Sequence, residues 1–221
     1  MDLSADQVRV ALLSLIAFIV SVSVHEYGHA LVADKLGDRV PRMQGRLTLS
    51  PIAHIDPLGT LLLPLIAGLM PGLPLIAWGK PVQTNPMNYT RRFSTRTGSM
   101  LVSAAGPAMN LLMALLGSIV FVALGKAGVL TDAVAHAVVR YVLLVNLTLL
   151  FFNLIPLGPL DGTAVLAGVL PQSAQPFVEG LRRYGMGLLL LLMLTGTLKH
   201  LMQPAFVVQA AWVKALVHLV S

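Results

Sequence analysis

Six apolar runs, at about 8–33, 58–77, 99–125, 134–157, 185–203 and 203–220, alternate along the chain with short polar segments that hold most of its charge. A helix needs about 20 apolar residues to cross about 30 Å of hydrocarbon. The pattern therefore predicts an all-α membrane protein, a bundle of five to six transmembrane helices in one domain over 1–221. That domain divides into an opening helix at 8–33, surface strands with a re-entrant segment over 34–98, central helices over 99–162 and C-terminal helices over 163–221. The re-entrant segment is the second run, which Pro64, Pro71, Gly72 and Pro74 interrupt; such backbone is tolerated at membrane depth where protein or a wet cavity covers it. Arg39 to Ser50 mixes polar and apolar residues, and Lys80 to Thr84 is short and contains a proline, as edge strands allow. A small β-sheet at the membrane surface is expected there, with an irregular basic loop as the alternative. Arg9 ahead of an apolar core has the look of a signal peptide, but no small-residue cleavage pattern follows, so the first run is kept as a permanent span.

Composition agrees with this class. Of 221 residues, 56% are hydrophobic and 11% charged, where soluble domains average about 25% charged. The absence of cysteine excludes a disulfide framework and a thiolate metal site. A net charge of +6 would suit nucleic acid, but the basic residues lie in short segments between apolar runs. They are read as a positive-inside signal, with anionic lipid headgroups rather than nucleic acid as the partner surface. Lys35, Arg39, Arg42 and Arg46 follow the first run, and Lys80, Arg91, Arg92 and Arg96 follow the second. If the second run turns back instead of crossing, both clusters share the cytoplasmic face.

Candidate chemistry begins near the inner end of the first run, at His25-Glu26-Tyr27-Gly28-His29. Positions i and i+4 of an α-helix lie about 6 Å apart along the axis and about 40° apart around it, so both imidazoles can face one ion. This is the H-E-x-x-H pattern, in which zinc acidifies water and the glutamate takes its proton. Ionisable groups in a transmembrane helix cost about 2.5–3.5 kcal/mol each; three within five residues imply function. Catalytic zinc usually has three protein ligands. Asp161 is the candidate for the third: Pro156, Gly158 and Pro159 would end the fourth run and turn the chain toward the site, although an Asp-Gly pair after a helix is commonly only a turn. Parity favours the ligand. With the second run re-entrant, the fourth run returns Asp161 to the side of the histidines; with it spanning, Asp161 would lie about 30 Å away.

Taken together, these motifs resemble the site-2 protease family of intramembrane zinc metalloproteases. His25-Glu26-x-Gly28-His29 matches the first motif, Ser103-Ala-Ala-Gly106-Pro107-x-x-Asn110 resembles that of the central helix, and Asn153 through Pro156 to Asp161-Gly162 resembles the motif whose aspartate is the third zinc ligand. The resemblance implies one Zn2+ held by His25, His29 and Asp161, with Glu26 as general base. Asn153 would contact substrate or the developing oxyanion. Asn110 becomes a substrate-binding candidate; for it, as for Asn146, the alternative is a hydrogen bond that bridges helices. The 221 residues leave no room for a PDZ or nucleotide-sensing module.

Ser50-Pro-Ile-Ala-His54-Ile-Asp56-Pro57-Leu-Gly59-Thr60 resembles a subgroup of small bacterial members. Asp56 sits where an N-cap before Pro57 belongs, while His54 is a candidate extra ligand or gate. Expected substrates are transmembrane proteins or remnant signal peptides, cleaved in regulated intramembrane proteolysis at a prokaryotic cell membrane with the site toward the cytoplasm. An unwound substrate would pair with the edge of the sheet. Two other classes use the same residues: a metal or proton transporter, and a silent scaffold. In a protease Glu26→Gln keeps zinc and loses cleavage; in a transporter it keeps flux or loses metal; a scaffold has no need of the whole set.

Overall fold

A computed structural model of the chain describes residues 5–70, 77–129 and 133–220. Its elements are α1 (Ala5–Lys35), α2 (Val40–Met43), a π-helical turn at Pro57–Leu62 running into α3 (Leu63–Leu69), α4 (Thr95–Lys126), α5 (Ala133–Asn153), α6 (Asp161–Val169), α7 (Gln175–Leu194), α8 (Leu198–Leu201) and α9 (Gln203–Val220). Among the described residues, three helical segments are long and apolar enough to cross a membrane: Val8–Lys35, Thr95–Lys126 and Gln203–Val220. Five to six were expected over the whole chain. α5 runs over 21 residues, Ala133–Asn153, and the first half of α7 carries Glu179, Arg182 and Arg183.

The long helices α1 and α4 cross at small residues, which let backbones approach closely where lipid supplies no hydrophobic drive between helices. Ala30 and Ala33 are fully buried, and a β-carbon on Gly28 would come within 2.8 Å of the Ala105 carbonyl oxygen. Ala114 and Phe121 of α4 pack with Leu143 and Leu147 of α5 and Leu216 of α9. Ser94 caps α4 by accepting from the Thr97 amide at 3.0 Å.

Asp56 caps the π-turn, as its sequence position predicts, accepting from the amides of Leu58 at 3.0 Å and Gly59 at 2.8 Å. The helix over Pro57–Leu69 is about 20 Å long at 1.5 Å per residue, short of a bilayer's hydrocarbon core. The ends of this excursion meet: Trp78 N–H donates to Gly59 O at 3.1 Å and Lys80 N–H to His54 O at 2.9 Å. Residues 71–76 of the expected re-entrant segment lie outside the described residues.

The expected surface sheet does not form. There is no strand among the described residues, and both candidate stretches spend their backbone groups elsewhere. Pro41 starts the helical turn α2, which Arg42 holds against α1 through a bidentate pair with Asp34 at 2.8 and 2.7 Å. Gly45, at φ +67°, then turns the chain. Residues 80–84 adopt no regular secondary structure, and the Val82 amide donates to Glu26. The two stretches touch through side chains, Gln44 donating to Gln83 at 2.8 Å, and not through a backbone ladder.

Candidate metal centre

His25 and His29 project from the same face of α1 toward α4 and the start of α6. Their Nε2 atoms are 3.0 Å apart and lie 3.2 and 3.3 Å from one oxygen of Asp161, the first residue of α6. Both imidazoles are buried. His29 Nδ1 donates to Val102 O at 2.7 Å, since a carbonyl only accepts, so in the neutral ring the lone pair is on Nε2. His25 Nδ1 is 2.6 Å from the Asn110 side-chain oxygen. The donor set suits zinc: two ligands each about 2.0–2.1 Å from a tetrahedral ion lie about 3.3–3.4 Å apart, close to the separations seen. Among the described residues this is the one group of three or more His, Cys, Asp or Glu that could hold an ion.

Gly106 of α4 faces the histidines, and a β-carbon there would lie 2.4 Å from His29 Nε2 and 2.6 Å from His25 Nε2. Asp161 is delivered by the turn that follows α5. At the far end of α6 the Arg96 guanidinium donates to the carbonyls of Ala167 and Gly168, joined by Gln175 on Ala167. The short helix that carries Asp161 is thereby tied to α4.

A cavity of about 300 Å3 opens beside the three ligand side chains and is lined also by Glu26, Trp78, Val82, Ser103 and Asn153. Glu26 accepts from the Val82 amide through Oε2 at 2.9 Å, which leaves its other oxygen for chemistry. The Asn153 side-chain amide donates one N–H to Leu149 O at 3.0 Å.

Thus His25, His29, Asp161, Glu26 and Asn153 converge. Asn110 and His54 do not line the cavity, and both are fully buried. Asn110 reaches the site from behind, through His25. His54 stands apart from the ligand group, its Nε2 donating to Thr48 O at 2.9 Å and its Nδ1 without a partner. Sequence reasoning missed the Val82 amide, because nothing in a sequence marks a backbone donor. It also passed over Ser21 and treated Asn146 only as a helix bridge; a polar residue inside each apolar run was the signal available.

The model of peptidase family M50 matches residues 13–135. The candidate zinc metalloprotease YwhC of Bacillus subtilis is 35% identical over 196 residues, covering 86% of this chain and 84% of that protein. Two proteins called Rip2, also candidate zinc metalloproteases, are similar: that of Mycobacterium tuberculosis H37Rv at 34% identity over 82% of this chain and 66% of its own, and that of Mycolicibacterium smegmatis at 29% over 90% and 75%. Comparison with solved structures returned no match. A match over more than half of the chain, together with relatives that align across most of it, means that this protein belongs to peptidase family M50, the site-2 protease family of zinc metalloendopeptidases.

Proposed function

We propose that this enzyme hydrolyses peptide bonds within or beside transmembrane segments of membrane proteins or remnant signal peptides, releasing regulators held in the membrane. The carrying observation is the meeting of two α1 imidazoles and the α6 carboxylate at one point, next to a cavity that also exposes Glu26.

In this reading His25, His29 and Asp161 hold one Zn2+. When bound, the ion supplies Lewis acidity, making water nucleophilic near neutral pH and polarising the scissile carbonyl. Glu26 takes the proton of the attacking water and delivers it to the leaving amine, while Val82 N–H steadies its second oxygen. Asn153 has a second amide N–H to offer the oxygen on which charge develops. A helical substrate must unwind to expose its peptide bond, and the non-helical stretch at 79–84 flanks the cavity where the unwound segment would lie.

The membrane is the prokaryotic cell membrane, with the site toward the cytoplasm, where the basic residues of 35–46 and 80–96 would gather by the positive-inside tendency. Because the chain has no cysteine, single cysteines introduced at Ser50 and Arg91 report that side directly: a membrane-impermeant thiol reagent should label them in inverted vesicles and not in intact cells.

The deciding experiment is metal analysis of detergent-purified protein, followed by cleavage of a panel of transmembrane peptides by wild type and Glu26→Gln. Glu26→Gln should retain zinc and lose about 10²–10⁴-fold in rate. Wild-type cleavage by this variant would remove Glu26 from the mechanism, and a wild type with no zinc would remove the metal centre.

A further inference from the structure

We infer that Asn110 and Asn146 are positioning residues that present His25 to the metal in a single tautomer, Nδ1 protonated and Nε2 bare. This rests on the reading of His25 as a metal ligand. Ser21 of α1, Asn110 of α4 and Asn146 of α5 are all fully buried and meet directly behind the His25 ring.

The polarity of their bonds follows from two backbone carbonyls, which can only accept. Val142 O lies 2.8 Å from the Asn146 side-chain nitrogen, so that amide must turn its N–H toward the carbonyl and its oxygen toward Asn110. Asn110 donates to this oxygen at 2.8 Å, and the same nitrogen lies 3.3 Å from the second carbonyl, Ser21 O. The oxygen of Asn110 is left facing His25 Nδ1 at 2.6 Å, where it accepts. In the neutral ring the proton therefore sits on Nδ1 and the lone pair on Nε2 faces Asp161 and His29. Flipping either amide would set its oxygen against a backbone oxygen. The relay is closed by Ser21, whose hydroxyl accepts from Asn146 at 2.8 Å and donates to Ala17 O at 2.7 Å.

Other buried polar pairs in the bundle differ in where they end. Gln209 donates to Thr148 at 2.9 Å and Trp212 to Ser118 at 3.0 Å, and none of these four residues lines the cavity. Of these side-chain links among the described residues, the Asn146–Asn110 chain is the one that terminates on a ligand ring. It also couples that ring to α5, the helix that carries Asn153 two turns beyond Asn146 and leads into the turn before Asp161.

The test compares Asn110→Leu, Asn110→Asp, Asn146→Leu, Gln209→Leu and His25→Ala in the full-length protein. Zinc affinity is measured by chelator competition and the ligand field by visible absorption of the cobalt-substituted protein. Asn110→Leu should bind zinc about 10- to 100-fold more weakly, with a changed cobalt spectrum and unchanged helix content. Asn110→Asp, which still offers Nδ1 an acceptor and can donate to Asn146 only from a protonated second oxygen, should recover part of the affinity. Gln209→Leu, which removes a helix bridge of the same kind elsewhere, should leave both readouts at wild type.

Wild-type affinity and spectrum in Asn110→Leu would overturn the inference, as would equal losses in the Leu and Asp variants or in Gln209→Leu. If Asn110→Leu does not accumulate, Asn146→Leu carries the test, with a smaller loss in the same direction expected and no loss overturning it. His25→Ala separates the two levels: if it retains zinc, the ligand reading itself fails; if it loses zinc while the asparagine variants do not, the relay alone fails.

Discussion

Gly106 on α4 stands so close to His29 on α1 that a single methyl group placed there would lie 2.4 Å from the ligand nitrogen. The same methyl would lie 2.6 Å from His25 Nε2, so it would displace both imidazoles at once. The same interface is already close where Gly28 brings α1 against Ala105, so relief would require the two helices to separate. Gly106→Ala is expected to weaken zinc binding by at least about tenfold, as mutations that misorient ligands do, and to cost about 1–3 kcal/mol through overpacking. Zinc content after dialysis, compared with that of Ala104→Gly as a neighbouring control on α4, checks it.

Removing the metal should loosen the junction of α1, α4 and α6. Without an ion, two imidazole nitrogens 3.0 Å apart share a buried space with one carboxylate. A ligand at about 100 times its dissociation constant stabilises the folded state by about 2.7 kcal/mol, and a chelator withdraws that amount. The chelated protein is expected to melt at a lower temperature and to recover on addition of zinc. Trp78 lines the cavity, so its fluorescence should change on chelation as well. An unchanged melting profile in Asp161→Ala on adding zinc would match loss of the third ligand; a wild-type response in that variant would contradict it.

How far these features were legible in the sequence depends on whether they are local. The pair His25 and His29 is set by helical spacing alone, and Asp161 followed from helix parity together with the family resemblance. The sheet expected at 39–50 and 80–84 was not legible as absent, because strand-like composition says nothing about competing partners. Arg42 is taken by Asp34 across the turn that follows α1, and the Val82 amide by Glu26 from a part of the chain far away in sequence. Asn110 shows the same limit. Its motif marked it as special, but its partners Ser21, His25 and Asn146 come from two other helices, and only the fold shows that it faces a ligand instead of the cavity.

Asp56 offers a test of the excursion that returns beside His54. Its carboxylate accepts two amides at the start of the π-turn, from Leu58 and Gly59, while its own N–H donates to Thr60 Oγ1 at 2.9 Å. Thr60 Oγ1 in turn donates to Trp78 O at 2.7 Å, so the cap is wired to the segment that flanks the cavity. Asp56→Ala should cost about 0.5–2 kcal/mol, as loss of an N-cap does, and Asp56→Asn should recover most of it. Thermal melting in detergent measures both, and zinc content should stay at wild type because Asp56 is not among the ligand group.

Arg96 should matter more to the metal than its distance along the chain suggests. Its guanidinium binds the last carbonyls of α6, at Ala167 and Gly168, where positive charge also meets the negative end of the helix dipole. Asp161 begins this nine-residue helix, so α6 behaves as a short rod with the ligand at one end and the clamp at the other. Arg96→Met removes both hydrogen bonds and leaves Gln175 on Ala167. Hydrogen bonds from charged groups contribute about 1.5–3 kcal/mol, so a loss of that order in stability is expected. A rod freed at one end also holds its ligand less firmly, and zinc affinity should fall with it. Arg96→Lys keeps the charge but not the fork of donors and should fall between the two. Chelator competition on all three proteins decides the point: equal zinc affinities would show that the turn after α5 alone fixes Asp161.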